Sequence, residues 1–168
     1  MNKRLALLLL LWPGHALAEF SFDYDFDAHQ KTWQELQAQL PAAPKVANLI
    51  PFEVGPAAPH RYFLDRSAIS AGTDGVVRYT VVVRTAGGAE NVSYEGMRCA
   101  SAEQKIYAFG RPNGDWARNK YAGWQPIALR QASSYQRELF EYWFCTQDGP
   151  ADMKAIQRAV ASGGIRRD

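Results

Sequence analysis

The chain has 168 residues, 47% of them hydrophobic, 12% aromatic and 21% charged, which excludes a disordered, collagen-like or low-complexity protein. Its 19 Lys and Arg against 17 Asp and Glu give a formal charge of +2. Without a dense basic stripe, that small excess argues against a nucleic-acid partner, whose affinity rests on phosphate neutralisation.

Residues Met1 to Ala18 have the layout of an export signal. Lys3 and Arg4 form a positive end, Leu5 to Trp12 an apolar run, Pro13-Gly14 a helix break, and Ala16-Leu17-Ala18 the small residues that signal peptidase requires. The apolar run is about half the roughly 20 residues of a membrane-spanning helix. Cleavage after Ala18 is expected, leaving no membrane anchor and a periplasmic or secreted product. Lys3 and Arg4 leave with the signal, so 17 basic residues then face 17 acidic ones.

Residues 19–30 form an acidic and aromatic leader in which Phe20, Phe22, Tyr24 and Phe26 alternate with Ser21, Asp23, Asp25 and Asp27. Strict period two suggests an extended segment, or a flexible one so near a terminus. His29 to Leu40 carries Trp33, Leu36 and Leu40 at helical spacing, which predicts a short amphipathic helix stopped by Pro41. Asn48 to Val54 and Arg61 to Asp65 read as short strands divided by a Pro- and Ala-rich loop.

After the Asp74-Gly75 turn come the two best strands, Val76 to Thr85 and Glu90 to Cys99. Taking Gly87-Gly88 as a two-residue hairpin loop, Tyr79, Val81 and Val83 share a buried face with Gly96, Tyr94 and Val92. Arg78, Thr80, Val82 and Arg84 then share the other face with Met97, Glu95, Ser93 and Asn91. Lys105 to Arg111 is a third strand, ended by a turn at Pro112 to Asp115. Trp116 and Trp124 flank a polar loop. Ser133 or Ser134 caps a segment containing Tyr135, Leu139 and Tyr142, with Phe140 to Cys145 readable as helix or strand. Pro150 to Ser162 is a helix with Met153, Ile156 and Val160 on one face and Gly163-Gly164 at its end.

The expected fold is therefore α+β: an antiparallel, meander-like sheet centred on the 76–85/90–99 hairpin, packed with N- and C-terminal helices. Residues 31–163 form one domain and 164–168 a tail. Cys99 and Cys145 are an even pair in an exported chain and favour a disulfide. Closing a loop of about 47 residues is worth roughly 4 kcal/mol in the chain-entropy model. A reactive thiol or metal ligand is the alternative.

From Trp33 to Cys145 the sequence resembles the CNP-one-like family of exported proteobacterial proteins. The resemblance rests on Trp33-Gln34-Glu35 with Leu40-Pro41, on Asn48-Leu49-Ile50, and on Asp65 with Ser67. Its strongest blocks are Gly72 to Tyr79 and Gly88 to Cys99, extended by Tyr107-Ala108, Trp116 and Trp124. It implies a single envelope domain in which the cysteine after the Glu-Gly-x-Arg run is structural, and it brings no catalytic roles.

Candidate chemistry is sparse. Asp23, Asp25 and Asp27 have calcium-loop spacing, but Ala28 stands where the loop needs glycine and Gln34 where it needs glutamate, so an acidic edge is expected instead. His29 and His60 lack a local metal-binding spacing. Ser67 and Ser70 lack a nucleophile-elbow context and suit backbone hydrogen bonding. The Gly72 to Gly75 loop lacks the Gly-Lys-Ser/Thr of a phosphate loop. No cofactor, metal site or catalytic residue is assigned.

The predicted hairpin register brings Arg78 diagonal to Glu95, with Arg84, Asn91 and Ser93 on the same face. These five residues form the candidate binding surface, or else ion pairs that fix strand register. Arg98 is expected to pair with Asp65. The functional expectation is a non-catalytic envelope domain that binds a protein or a small polar ligand. The alternative is a hydrolase joining Glu95 to Asp65 or Asp74 as a carboxylate pair.

Overall fold

Six of the nine residues in Val76–Arg84 are β-branched, which suits a pleated, fully covered strand far better than a helix. In the computed structural model this strand lies at the centre of an antiparallel sheet. The structure describes residues 32–132 and 134–163. The export signal, the leader with its aspartates, His29, Ser133 and the 164–168 tail lie outside the described residues.

The strands are β1 (Leu49–Phe52), β2 (Arg61–Asp65), β3 (Ser70–Ala71), β4 (Val76–Arg84), β5 (Glu90–Arg98), β6 (Glu103–Gly110), β7 (Trp116–Arg118) and β8 (Gln125–Pro126). The sheet runs β1-β2-β4-β5-β6-β7, with β3 also pairing β4 and β8 also pairing β6. Its edges are blunt: β1 contains Pro51 and β7 has three residues, a common defence against unwanted strand pairing. The α+β class and the antiparallel meander are as expected.

The hairpin register is not. Arg84 pairs with Glu90, Tyr79 with Glu95 and Arg78 with Gly96. The loop therefore holds residues 85–89, closed by Thr85 N donating to Ala89 O and Ala89 N donating to the Thr85 hydroxyl. A two-residue turn of the expected kind needs positive φ at both glycines. Only Gly88 has it, at 84°. A one-residue slip carries every β5 side chain to the opposite face, so Glu95 and Ser93 lie with Tyr79 and Val81 rather than with Arg78.

One face of the sheet meets the helices. Ser134 caps α1 (Tyr135–Leu139) by accepting from Arg137 N, and Phe140–Phe144 continues as one widened π turn. The ambiguous 140–145 stretch is thus mostly helical, with Cys145–Thr146 as β9, paired to Gly149–Pro150 as β10. The π turn directs both Trp143 and Phe144 into the core, where Phe144 packs on Tyr79 at 4.9 Å and Trp143 on Phe52 at 5.7 Å between ring centres. Cys99 and Cys145 form a disulfide with 5.5 Å between Cα atoms, joining the end of β5 to this helical layer. Helix α2 (Met153–Ser162) is capped by Asp152 and ended by Gly163 at φ 78°, and buries Ile156 and Ala159.

Among the described residues, no helix covers the other face. The described part of the predicted His29–Leu40 helix has no regular secondary structure; residues 33–44 instead cross the sheet as a strap. Its backbone groups are used by side chains beneath it: Leu36 N donates to Asp74 and Leu36 O accepts from Arg78, both at 2.8 Å. Those bonds replace the ones a helix would have made within itself, and leave Leu36 48% exposed.

Candidate functional site

The five residues expected to share a binding face are divided by the sheet. Arg78 and Arg84 point to the strap side. Arg78 is buried and grips Asp74 with both terminal nitrogens, at 3.3 and 2.7 Å. Arg84 pairs with Glu90 at 2.7 Å and stacks over Phe63. Asn91 is exposed near the loop, while Ser93 and Glu95 lie in the core. Arg98 pairs with Glu103 at 3.6 Å and stacks over Trp33 rather than reaching Asp65. Asp65 accepts from the backbone and hydroxyl of Ser67.

Glu95 is fully buried. Its carboxylate accepts from Ser93 Oγ at 2.5 Å, Tyr135 OH at 2.6 Å and Tyr79 OH at 3.1 Å. Burial raises its pKa, and these three donors only partly oppose that rise. The hydroxyls beside it are pushed upward too: Tyr79 and Tyr135 titrate well above an ordinary tyrosine, through burial and the neighbouring carboxylate. A carboxyl enclosed this way holds α1 against the sheet.

On the strap side the anchor is Glu35, which accepts from Lys105 Nζ at 2.8 Å, Tyr107 OH at 2.6 Å and Trp124 Nε1 at 3.1 Å. Burial alone would raise its carboxyl, but these donors and the Lys105 charge hold it below the ordinary glutamate value. Asp74 is depressed in the same way: burial is outweighed by Arg78 and by the N–H groups of Leu36 and Val76. Tyr107 reaches Glu35 because β6 bulges there, the register shifting between Tyr94 and Glu95 of β5. Its ring lies over Gly96, where an added Cβ would meet the hydroxyl at 2.5 Å and ring atoms at 2.8 and 2.9 Å. Trp116 completes the attachment by donating to Pro41 O at 2.8 Å.

These geometries decide between the chemistries read from the sequence. A hydrolytic carboxylate pair needs two acids facing one another across a cleft. Strand alternation sets Asp65 opposite Leu64, and Asp74 is tied to Arg78; both acids therefore lie across the sheet from Glu95. Among the described residues, no three His, Cys, Asp or Glu side chains converge to hold a metal ion.

Surface openings lie elsewhere. One of 430 Å³ is bordered by Glu90, Val92, Arg111 and Trp116, and another of the same size by Phe52, His60 and Tyr62. A third, of 510 Å³, runs between α2 and the β1–β2 edge, over Ile50, Ile69, Met153, Ile156 and Val160, with Arg66 also lining it. Neither Arg66 nor this groove was expected from the sequence. The helical stripe Met153, Ile156, Val160 was visible there, but only the structure shows it to be broader than the sheet covers.

The fold and its polar anchors define a disulfide-closed α+β protein whose charged side chains mostly serve the fold. Residues 28–161 match the CNP1-like family, and the chain belongs to that family. It is also similar to "Cryptic neisserial protein 1" of Neisseria gonorrhoeae (strain ATCC 700825 / FA 1090), at 24% identity over 193 aligned positions covering 98% of this chain and 95% of that protein. No solved structure matches the chain.

Proposed function

We propose that this protein is exported to the cell envelope and works there as a binding domain without catalysis of its own. The observation that carries the reading is the Cys99–Cys145 bridge, because such bonds persist in oxidising compartments. The basic, apolar and small-residue order of Met1 to Ala18 supports the same location. Binding rather than catalysis is supported by the use of the polar groups: Glu95, Asp74, Arg78 and Glu35 are all engaged within the fold, while no described residue fills the 510 Å³ groove.

The test is expression of the full chain, with its own N-terminus, in a Gram-negative host, followed by fractionation, intact mass and thiol labelling. A periplasmic product beginning at Glu19 with both cysteines blocked is expected. A full-length product in the cytoplasm with two free thiols overturns the reading.

A further inference from the structure

We propose that the groove between α2 and the β1–β2 edge binds the aliphatic tail of an anionic amphiphile, of which a straight-chain carboxylate is the simplest example. This rests on the reading of the protein as a binding domain, but not on its export.

The lining selects the tail. Ile50, Ile69, Met153 and Val160 line the groove with aliphatic side chains over the buried Ile156, and among the described residues no aromatic ring lines it. Such a surface offers many weak contacts to a flexible chain and no flat wall for a ring to stack on. Met153 adds a side chain that can reshape itself around chains of different length. At 510 Å³ the space is within the usual range of small-molecule sites.

The rim selects the head. Among the described residues, Arg66 is the only charged one lining the groove, and no carboxylate lines it to compete. Its Nη2 donates to the Ala47 carbonyl at 2.8 Å, which tethers the guanidinium, while Nε and Nη1 make no hydrogen bond among the described residues and suit a planar anion. Ser67 beside it is already committed, donating to Asp65 at 2.6 Å and accepting from Asn48 at 3.1 Å. The arrangement therefore sets one tethered cation beside an aliphatic trough, the complement of an acyl chain with a carboxylate head.

The experiment titrates the purified, disulfide-bonded protein with octanoate, decanoate and dodecanoate below their micellar concentrations. Binding is followed by calorimetry and by methyl NMR of the isoleucines and methionines. The methyls of Ile50, Ile69 and Met153 are expected to shift, with affinity rising about fourfold per added methylene, the factor that corresponds to about 0.8 kcal/mol. Dodecyltrimethylammonium is expected to bind at least tenfold more weakly than dodecanoate. Arg66→Gln should abolish that preference while keeping the dependence on chain length. Ala161→Trp, at an exposed position on the groove, should abolish binding. If it lowers the melting temperature, Gln157→Phe, one turn earlier and also exposed, takes its place.

The proposal is overturned if no alkanoate shifts these methyls, if the cationic amphiphile binds as tightly as the anionic one, or if the blocking variant binds like wild type. Any of these leaves the export test untouched, since that test reads processing and thiols alone.

Discussion

Replacing Glu95 tests the central feature of the core. In the wild type its carboxylate meets three hydroxyls and, among the described residues, no cation, so folding shifts it toward the protonated form relative to the unfolded chain. Burial raises the folded pKa, and the donors from Ser93, Tyr135 and Tyr79 do not cancel it. For such a group the stability is fully present below the unfolded value, near 4.3. It declines as pH rises through the folded value, because the folded chain holds the proton more tightly than the unfolded one.

Glutamine puts an acceptor in the same place without the charge. Glu95→Gln is therefore expected to lie within about 1 kcal/mol of wild type at pH 4. Toward pH 8 it should gain on wild type by about 1.4 kcal/mol for each pH unit by which the wild-type carboxyl is raised. Glu95→Ala instead strands three hydroxyls and opens a cavity, at a cost of roughly 3 to 5 kcal/mol. Urea unfolding of the three proteins at pH 4, 6 and 8 measures these differences, and the other titrating groups cancel in the comparison. Were Glu95 paired with Arg78, glutamine would cost most where the carboxylate is fully charged. A Gln variant that falls further behind wild type between pH 4 and 8 refutes the core placement.

Reducing the Cys99–Cys145 bridge should lower stability by about 4 kcal/mol in the chain-entropy model, or roughly 10 °C in melting temperature, as calorimetry with and without reductant will show; an unchanged transition contradicts it. Arg78→Ala leaves the Asp74 carboxylate, 1% exposed, without its cation, and should cost about 3 to 5 kcal/mol in chemical denaturation. Gly96→Ala forces the Tyr107 ring off Glu35 and should cost about 1 to 3 kcal/mol, with loss of the Tyr107 hydroxyl contact visible by NMR. Glu35 and Asp74 act in the opposite sense from Glu95. Their depressed folded values give stability that is present above the unfolded pKa, about 4, and lost as pH falls through the folded ones; Glu35→Gln should flatten that acid limb in pH-dependent melting.

Much of the sheet was legible because strand signals are local. Arg61–Asp65 emerges with the bounds its residues suggest, and β4 and β5 end within a residue of them. The C-terminal helix was equally plain, although its cap is Asp152 rather than a start at Pro150. The π turn at Phe140–Phe144 was not, because Tyr135, Leu139 and Tyr142 fit an ordinary helix, and nothing local shows that Trp143 and Phe144 must both turn inward.

The strap is hidden from the sequence for a different reason. Trp33, Leu36 and Leu40 do have helical spacing, but the partners that settle their conformation are Asp74, Arg78, Lys105, Tyr107, Trp116 and Trp124, far along the chain. A hint was present in β4 itself. An open-faced strand alternates apolar and polar residues, whereas Val76-Val77 and Val81-Val82-Val83 do not, and consecutive β-branched residues are the mark of a strand covered on both sides. Taking that seriously requires a second cover for the sheet, and with one helical layer assigned to the C-terminal part, the segment before β1 is what remains.

The same consideration bears on the hairpin register. With both faces of β4 covered, hydrophobicity alone does not choose which face of β5 should hold Glu95, so a one-residue slip carries little signal in the sequence. The choice is made by groups remote from the hairpin: the Tyr135 hydroxyl forty residues away supplies Glu95 with a donor, and the Tyr107 ring fills the space that Gly96 leaves open. In the alternative register, Gly96 would exchange places with a larger side chain beneath Tyr107, and Glu95 would enter the layer that already holds the Asp74–Arg78 pair. The position of the one side chain that β5 lacks is thus tied to the position of its one buried acid.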